Sequence, residues 1–502
     1  MKQKLKHFGP LAIFILTLMM IFASLEPSTF IGESQFNPRS ISRSQTFDII
    51  DDNLLDLDRV FWSRNTTGKN QTIAIVDTGI NDTHQAFNGK QINWTDVTSE
   101  NETSPMDLGG HGTACASIAT GNATTFKGAA PGADLAIIKM FYTDGSGVNA
   151  ENQEADAAVD YILDNPLLNV SVASLSWSDD NQSDGTDELS MIVERLVDAG
   201  IVTVVAAGNE AAGITRVTAP GTSRKVITVG AMDTSQFEVA GFSLPGPTQD
   251  NRIKPDLIAP GRYVKGANYL NVIGYNYYSG TSFATPIVAG VAALLLEEYP
   301  GMTHYQIKNL LCLTALETQY TQGAKDNQEG WGVINPAGVL MAINNTWQPD
   351  SPLPLQVNLS DPWKRSYFTK VHLSPGQTNQ FSLRISSGNA DVLKYYELYI
   401  FDKDGDEYGD PHLHVGSHYS RLYFLPPKEG DYILALKPHP SAWTASGDNL
   451  VASLEMDLSL NYYIEFATVM GIISAGFSVG ILVALGHLNV KIKKRTPRLE
   501  RP

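Results

Sequence analysis

Three short segments carry side chains that can act together: Ile73-Ala-Ile-Val-Asp77-Thr-Gly-Ile80, Gly110-His111-Gly-Thr-Ala-Cys-Ala116 and Ser279-Gly-Thr-Ser282-Phe-Ala-Thr-Pro286. A serine hydroxyl is a poor nucleophile until an imidazole takes its proton. The imidazole in turn needs a carboxylate to fix its tautomer and stabilise its cation. Asp77 ends an apolar strand-like run, while His111 and Ser282 each open a helix-like run whose free N-terminal amides favour nearby negative charge. Taken singly, each has an ordinary explanation: Asp77 as a turn or cap residue, His111 as a loop histidine, Ser282 as a helix cap. Taken together they supply a nucleophile, a base and an orienting carboxylate.

The elements that must position them read as an alternation. Strand-like runs at Thr72–Val76, Leu135–Met140, Val170–Leu175, Ile201–Ala206 and Val226–Val229 are interleaved with helical spacing over Gly112–Ala119, Glu151–Leu163 and Glu188–Ala199. Fully apolar strands between helices predict an α/β fold with a doubly wound parallel sheet covered on both faces. In such sheets the site lies at the carboxyl ends of the strands. The expected organisation is an α/β unit over residues 60–346, a Pro-rich linker over 347–355 and a smaller antiparallel β-sandwich over 356–460, where short alternating runs are separated by Gly, Pro, Asn and Asp.

Composition sets the compartment. The chain has 502 residues, 43% hydrophobic and 18% charged, and its net charge of −17 argues against nucleic acid as a partner. Cys115 and Cys312 are the two cysteines, too few for a disulfide framework. Lys2, Lys4 and Lys6 precede an apolar run from Leu11 to Ala23, so residues 1–25 read as a signal peptide and 26–59 as a short N-terminal segment. Phe466 to Gly486 is uncharged, preceded by Tyr462-Tyr463 and followed by Lys491, Lys493, Lys494 and Arg495. That pattern predicts a transmembrane helix over 464–488 with a basic cytoplasmic tail over 489–502, leaving the chain between the two ends outside the cell. Gly476 and Gly480 in this span fit a homodimer face. Asn-X-Ser/Thr occurs at Asn65, Asn70, Asn81, Asn93, Asn101, Asn122, Asn169, Asn181, Asn344 and Asn358, the pattern of a glycosylated exported surface.

With the order Asp, His, Ser and these three motifs, the chain resembles the subtilisin-like serine proteases, the subtilase family, over about Trp62 to Leu340. Gly128-Ala-Ala-Pro-Gly-Ala133, Lys254-Pro-Asp-Leu-Ile-Ala-Pro-Gly261 and Gly330-Trp-Gly-Val-Ile-Asn-Pro336 agree with it. The resemblance implies that Asp77 orients, His111 acts as general base and then acid, and Ser282 attacks the scissile carbonyl. It implies that Asn209, in Val204-Val-Ala-Ala-Gly208-Asn209, supplies an oxyanion donor. Substrate-lining segments would be Ser176, Trp177 and Ser178 on one side and Ala206, Ala207 and Gly208 on the other, pairing with the peptide as an added strand.

The chain also departs from the family. Trp177 and Ser178 replace the usual leucine and glycine, so Trp177 either narrows a subsite or packs on a neighbouring loop. Ala86 stands where the family places a calcium-binding aspartate, and Gly121-Asn-Ala-Thr-Thr-Phe-Lys-Gly128 lacks a calcium-loop insertion. Asp402-Lys-Asp404-Gly-Asp406 has Leu413 where an EF-hand needs its glutamate. No cofactor is therefore expected, and a structural calcium, though open, has no support in the sequence. Cys115, one helical turn after His111, resembles the cysteine of thiol-containing subtilases and is expected to point into the core. The sandwich weakly resembles the C-terminal prepeptidase domains of secreted proteases.

The reading is a membrane-anchored extracellular serine endopeptidase acting on proteins or peptides through an acyl-enzyme. A catalytically silent surface module binding peptides or glycans has no physical reason to keep Asp77, His111, Ser282 and Asn209 together, and a membrane-anchored esterase or transferase with the same acyl chemistry is separated by protein against small-ester turnover.

Overall fold

The computed structural model describes residues 55, 57–143, 148–318 and 325–347, and beyond them the strands and some connections between 353 and 459. The signal (1–25), the membrane span (464–488) with Gly476 and Gly480, and the tail (489–502) lie outside the described residues.

In chain order the main elements are β1 (Thr72–Asp77), β2 (Ile92–Asp96), α1 (His111–Thr120), β3 (Asp134–Lys139), α2 (Asn152–Asp164), β4 (Val170–Leu175), α3 (Glu188–Asp198), β5 (Val202–Ala206), β6 (Ile227–Asp233), β7 (Glu238–Val239), β8 (Leu257–Pro260) and α4 (Thr281–Glu298). The strands form one sheet in the order β7-β6-β5-β4-β1-β3-β2, with β8 also pairing β6. All pairings are parallel except the short β7 against β6.

Side chains alternate across the sheet with period two, and here both faces are dry. Ile73 and Ile75 of β1 pack in the cluster that contains α1 and α4, whereas Ala74 and Val76 pack in the cluster that contains α2 and α3. This is why β1 reads as a continuous apolar run. Local chemistry then starts and stops the helices: Glu151 and Glu154 form a capping box on α2, and the Asp187 carboxylate accepts from Ser190 N at the start of α3. α4 is buried almost all round and is long and apolar enough to cross a membrane. It is instead the helix at the centre of the larger core.

Two expected boundaries are corrected. Leu55 and Leu57 are buried with Phe61 in the main core, so the α/β unit begins before residue 60. Of the expected linker, residues 348–352 lie outside the described residues, and its two ends belong to strands. Trp347 is buried and pairs with Val371, and Leu353–Asn358 is a strand paired with Asn449–Leu454. Pro354 is tolerated because that strand lies at a sheet edge.

The strands after residue 345 form two sheets. One holds Thr346–Trp347, Tyr367–Leu373, Gly430–Pro438, Tyr396–Asp402 and Leu413–Val415; the other holds Leu353–Asn358, Asn449–Ser459, Thr378–Ser387 and Arg421–Phe424. Ring contacts of Trp347 with Phe381 (6.1 Å) and Phe424 with Tyr432 (5.2 Å) join them. The first sheet is seated on the α/β unit: Phe368, Phe401, Ile433 and Ala435 belong to the main core, and Phe401 meets Trp331 at 6.0 Å.

A charged cluster is buried at that junction. The Lys437 ammonium donates to Ala315 O (2.9 Å), with Glu317 and Glu329 beside it. Burial pushes the Glu329 carboxyl from 4.5 up to about 7; its hydrogen bond from Thr318 and the Lys437 charge pull the other way. A folded-state value above the unfolded one means that the folded chain holds the proton more tightly. This contribution to stability is full below about 4.5 and is lost as pH rises through 7. Glu329→Gln is expected to flatten the pH dependence of Tm between pH 5 and 8, with a difference of at most about 3 kcal/mol at the alkaline end. Thermal melts of both proteins across that range check it, and parallel curves would refute the assignment.

Candidate active site

Asp77 is the last residue of β1, at the carboxyl end of the central strand, and is fully buried. Its Oδ1 accepts from Thr78 N (2.7 Å) and from His111 Nδ1 (2.8 Å). That bond assigns the proton to Nδ1 and leaves Nε2 as the basic nitrogen. The second oxygen, Oδ2, is buried without a protein partner among the described residues.

His111 opens α1, and the entry is built from a residue that the sequence did not single out. One Asp107 oxygen accepts from Gly109 N (3.2 Å), Gly110 N (2.9 Å) and Thr78 Oγ1 (2.7 Å), and the other from Thr113 N (2.8 Å) and the Thr113 hydroxyl. Thr78 Oγ1 in turn accepts from Gly112 N (2.9 Å). These bonds tie the end of β1 to the start of α1. A side chain at residue 112 would place Cβ 2.2 Å from Gly79 O, so the close approach of helix to strand requires glycine there. The only sequence signal for Asp107 is a carboxylate just ahead of a Gly-Gly helix start.

Ser282 is the second residue of α4, half-buried and next to Phe283, whose ring lies 5.3 Å from the His111 ring. Among the described residues the Ser282 hydroxyl makes no hydrogen bond to His111. Such contacts commonly tighten only when substrate is bound. Cys115 lies beneath both, its sulfur 3.8 Å from His111 Nδ1 and 3.5 Å from Ser282 O, and it is fully buried as expected.

Burial alone would lower the His111 pKa, but the Asp77 charge and hydrogen bond outweigh it and the imidazole is held well above its ordinary value. Burial pushes the Cys115 thiol up, so the thiol is neutral near pH 7 and the lift on His111 comes from Asp77.

Asn209 follows Gly208, which takes φ +99°. Asn209 is exposed, and its Oδ1 accepts from Thr281 N (2.9 Å) and Thr281 Oγ1 (3.3 Å). The carboxamide oxygen is thereby committed to the start of α4. Its NH2 group sits beside Gly280, 3.6 Å from where a Cβ would be, on the helix terminus that carries Ser282.

The segments expected to line substrate diverge. Ser176 is buried, Trp177 half-buried and Ser178 exposed. The Trp177 indole donates to Val76 O (2.9 Å) and its ring packs on the cluster under α2 and α3, so it braces the residue before Asp77. On the other side, Ala207 N bonds Val229 O, Ala207 O accepts from Thr218 N and Gly208 O accepts from Leu244 N. The expectation that Ala206, Ala207 and Gly208 pair with a peptide as an added strand is corrected for Ala207, whose N–H and C=O are both taken within the protein, and for the Gly208 carbonyl.

The family's calcium position does not fit a cation here. Ala86 is fully buried in a short turn, and Gly121 to Gly128 closes as a tight hairpin, Asn122–Ala123 against Phe126–Lys127, with Gly128 N on Gly121 O (2.7 Å). Asp404 and Asp406 lie outside the described residues. Asp77, His111 and Cys115 bring one donor atom each within 4.8 Å, but the carboxylate and the imidazole already satisfy one another.

Residues 68–332 match the family profile described as the subtilase family, peptidase S8. The chain belongs to that family. It is 38% identical over 271 residues to the serine protease AprX of Bacillus subtilis, which covers 49% of this chain and 61% of that protein. It is 32% identical over 258 residues to subtilisin E of the same organism, covering 50% and 62%. A solved cold-adapted subtilisin-like serine proteinase aligns over 53% of this chain and 89% of its own, with 29% identity and a TM-score of 0.44. The chain thus spans about six tenths of the length of these curated relatives.

Proposed function

We propose that the chain is a serine endopeptidase, anchored in the cell membrane by residues 464–488 with its catalytic unit outside. The observation that carries the chemistry is the 2.8 Å bond from His111 Nδ1 to the buried Asp77, at the strand end faced by the start of α4 with Ser282. In the proposed reaction His111 Nε2 takes the Ser282 proton as the oxygen attacks the peptide carbonyl. The same proton then passes to the leaving amine, and water, deprotonated in its turn by His111, releases the acyl group. The developing oxyanion is met by the Asn209 NH2 and the Ser282 backbone N–H at the positive end of α4.

Export is supported by exposure: Asn65, Asn70, Asn101, Asn122, Asn169, Asn181 and Asn344 of the acceptor pattern all lie at the surface. Asn81 is half-buried, and its Nδ2 donates to Tyr269 O (2.6 Å).

The test is labelling of the full chain in detergent with a fluorophosphonate probe, together with casein hydrolysis. Both are expected, and both are expected to be lost in His111→Ala; a folded chain that does neither would refute the reading. Asn209→Ala is expected to lower kcat by about 10²–10³ with little change in KM, because its NH2 meets charge that exists only in the transition state. A change confined to KM would place Asn209 in substrate binding instead.

A further inference from the structure

Among the described residues eight large apolar side chains are exposed, and five of them lie in one hairpin: Tyr263 (62%), Leu270 (78%), Val272 (45%), Ile273 (66%) and Tyr277 (51%). The hairpin pairs Val264–Ala267 with Tyr275–Tyr278 and leads directly into Ser282. Clustered apolar exposure of this kind marks a contact surface.

The tip is held in place by backbone contacts. Gln85 N and Gln85 Nε2 donate to Val272 O (2.7 Å) and Ile273 O (2.9 Å), and the His84 ring donates through Nε2 to Gly274 O (2.8 Å). Inside the tip, Leu270 N and Ile273 N bond the side chains of Asn268 and Asn271. The backbone is therefore fixed while the aliphatic side chains point away from it. The Tyr269 ring lies against Gly110, where a Cβ would come within 2.2 Å, and Tyr278 stacks on Phe283 at 5.0 Å. The patch is thus a rigid lip beside His111.

Leu270 and Ile273, the most exposed of the five, protrude at the tip and do not line a cleft, which disfavours a peptide subsite there. The chemical sequence of the lip is aliphatic at the tip and tyrosine at the base, with Arg262 and Lys265 beside it. Arg262 is paired with Asp233 (2.9 Å), and Asp107 on the facing segment is absorbed by backbone and hydroxyl donors. Asp82 is exposed on the Asn81–Gln85 segment that holds the tip, and no carboxylate occurs in the sequence between Asp256 and Glu297. Aliphatic side chains at the tip, with tyrosines and the half-exposed Lys265 at the base, match the layering of a bilayer interface: acyl chain, headgroup boundary, phosphate.

We propose that this lip inserts into the headgroup region of an anionic bilayer and seats the cleft against the membrane, so that the substrates are juxtamembrane segments. This deepens the anchored-peptidase reading and rests on it.

The full chain is bound to phosphatidylcholine–phosphatidylglycerol vesicles, with Leu270→Cys or Ile273→Cys carrying an environment-sensitive fluorophore; Cys115 and Cys312 are buried and stay unlabelled. Blue-shifted emission, quenched by headgroup-level nitroxide lipids, is expected at both positions but not at Leu167→Cys, a 99% exposed control. Absence of quenching at 270 and 273 would overturn the proposal. This readout needs no catalysis, so an inactive enzyme fails the peptidase reading alone; extraction of the chain by alkaline wash reports separately on the anchor. In a second measurement, Leu270→Asp with Ile273→Asp is expected to slow cleavage of a vesicle-tethered peptide about tenfold while the same peptide in solution is cut at the wild-type rate. Equal loss on both would make the lip a peptide subsite and overturn the proposal.

Discussion

Ser282→Ala is expected to lower kcat for peptide hydrolysis by about 10⁶ and to abolish fluorophosphonate labelling, the size of loss found when a subtilisin loses its nucleophile. Among the described residues Cys115 is the thiol at the site, and it lies behind the imidazole, buried, with its thiol pushed up by that burial and so protonated. His111→Ala should cost about as much, and the double variant little more, because the base has no function without the hydroxyl. A residual rate of about 10³ over water should survive in each, owing to Asn209 and substrate positioning. Single-turnover kinetics on a folded variant, checked by circular dichroism, measure this. Retention of more than a few per cent of wild-type turnover by Ser282→Ala would mean that another atom attacks.

How much of this was legible in the sequence depends on whether the signal is local. β1 was read within a residue of its end because both faces of the sheet are dry there, which makes Ile73–Val76 an uninterrupted apolar run. β2, Ile-Asn-Trp-Thr-Asp, was missed: it is a half-buried edge strand with polar residues, defined by its pairing with β3. β8 was missed because it is short and ends in Pro260.

The same division holds at the site. Asp77, His111, Ser282 and Asn209 each stand in a compact motif, and the structure brings them to one end of the sheet. Asp107 has no motif, since its work is done by folding back on Thr78, Gly110 and Thr113. The two readings of Trp177 could not be separated in sequence. The deciding contact, its indole on Val76 O, spans 101 residues. Backbone pairing of Ala207 and Gly208 was invisible for the same reason: a tetrapeptide does not say whether its amides are already taken.

Asp77→Asn should lower kcat by about 10⁴ while leaving the backbone in place, and it should move the acid limb of the pH profile downward. In the wild type, burial tends to lower the His111 pKa but the Asp77 charge raises it well above 6.5 overall. Hydrolysis needs the neutral imidazole, so the rate climbs only as pH passes that raised value. Without the carboxylate the burial effect is left unopposed, and the limb falls below the wild-type position. An asparagine NH2 facing Nδ1 would also favour the tautomer with its proton on Nε2, which cannot accept from Ser282. Stability follows the same linkage: a pKa raised on folding stabilises fully below about 6.5 and stops doing so as pH rises through the folded value. Asp77→Asn should therefore be relatively less stable near pH 6 than near pH 9. Profiles of kcat/KM from pH 5 to 10, with melts at the two ends, separate this from a merely structural role for Asp77, which would lower the rate without moving the limb.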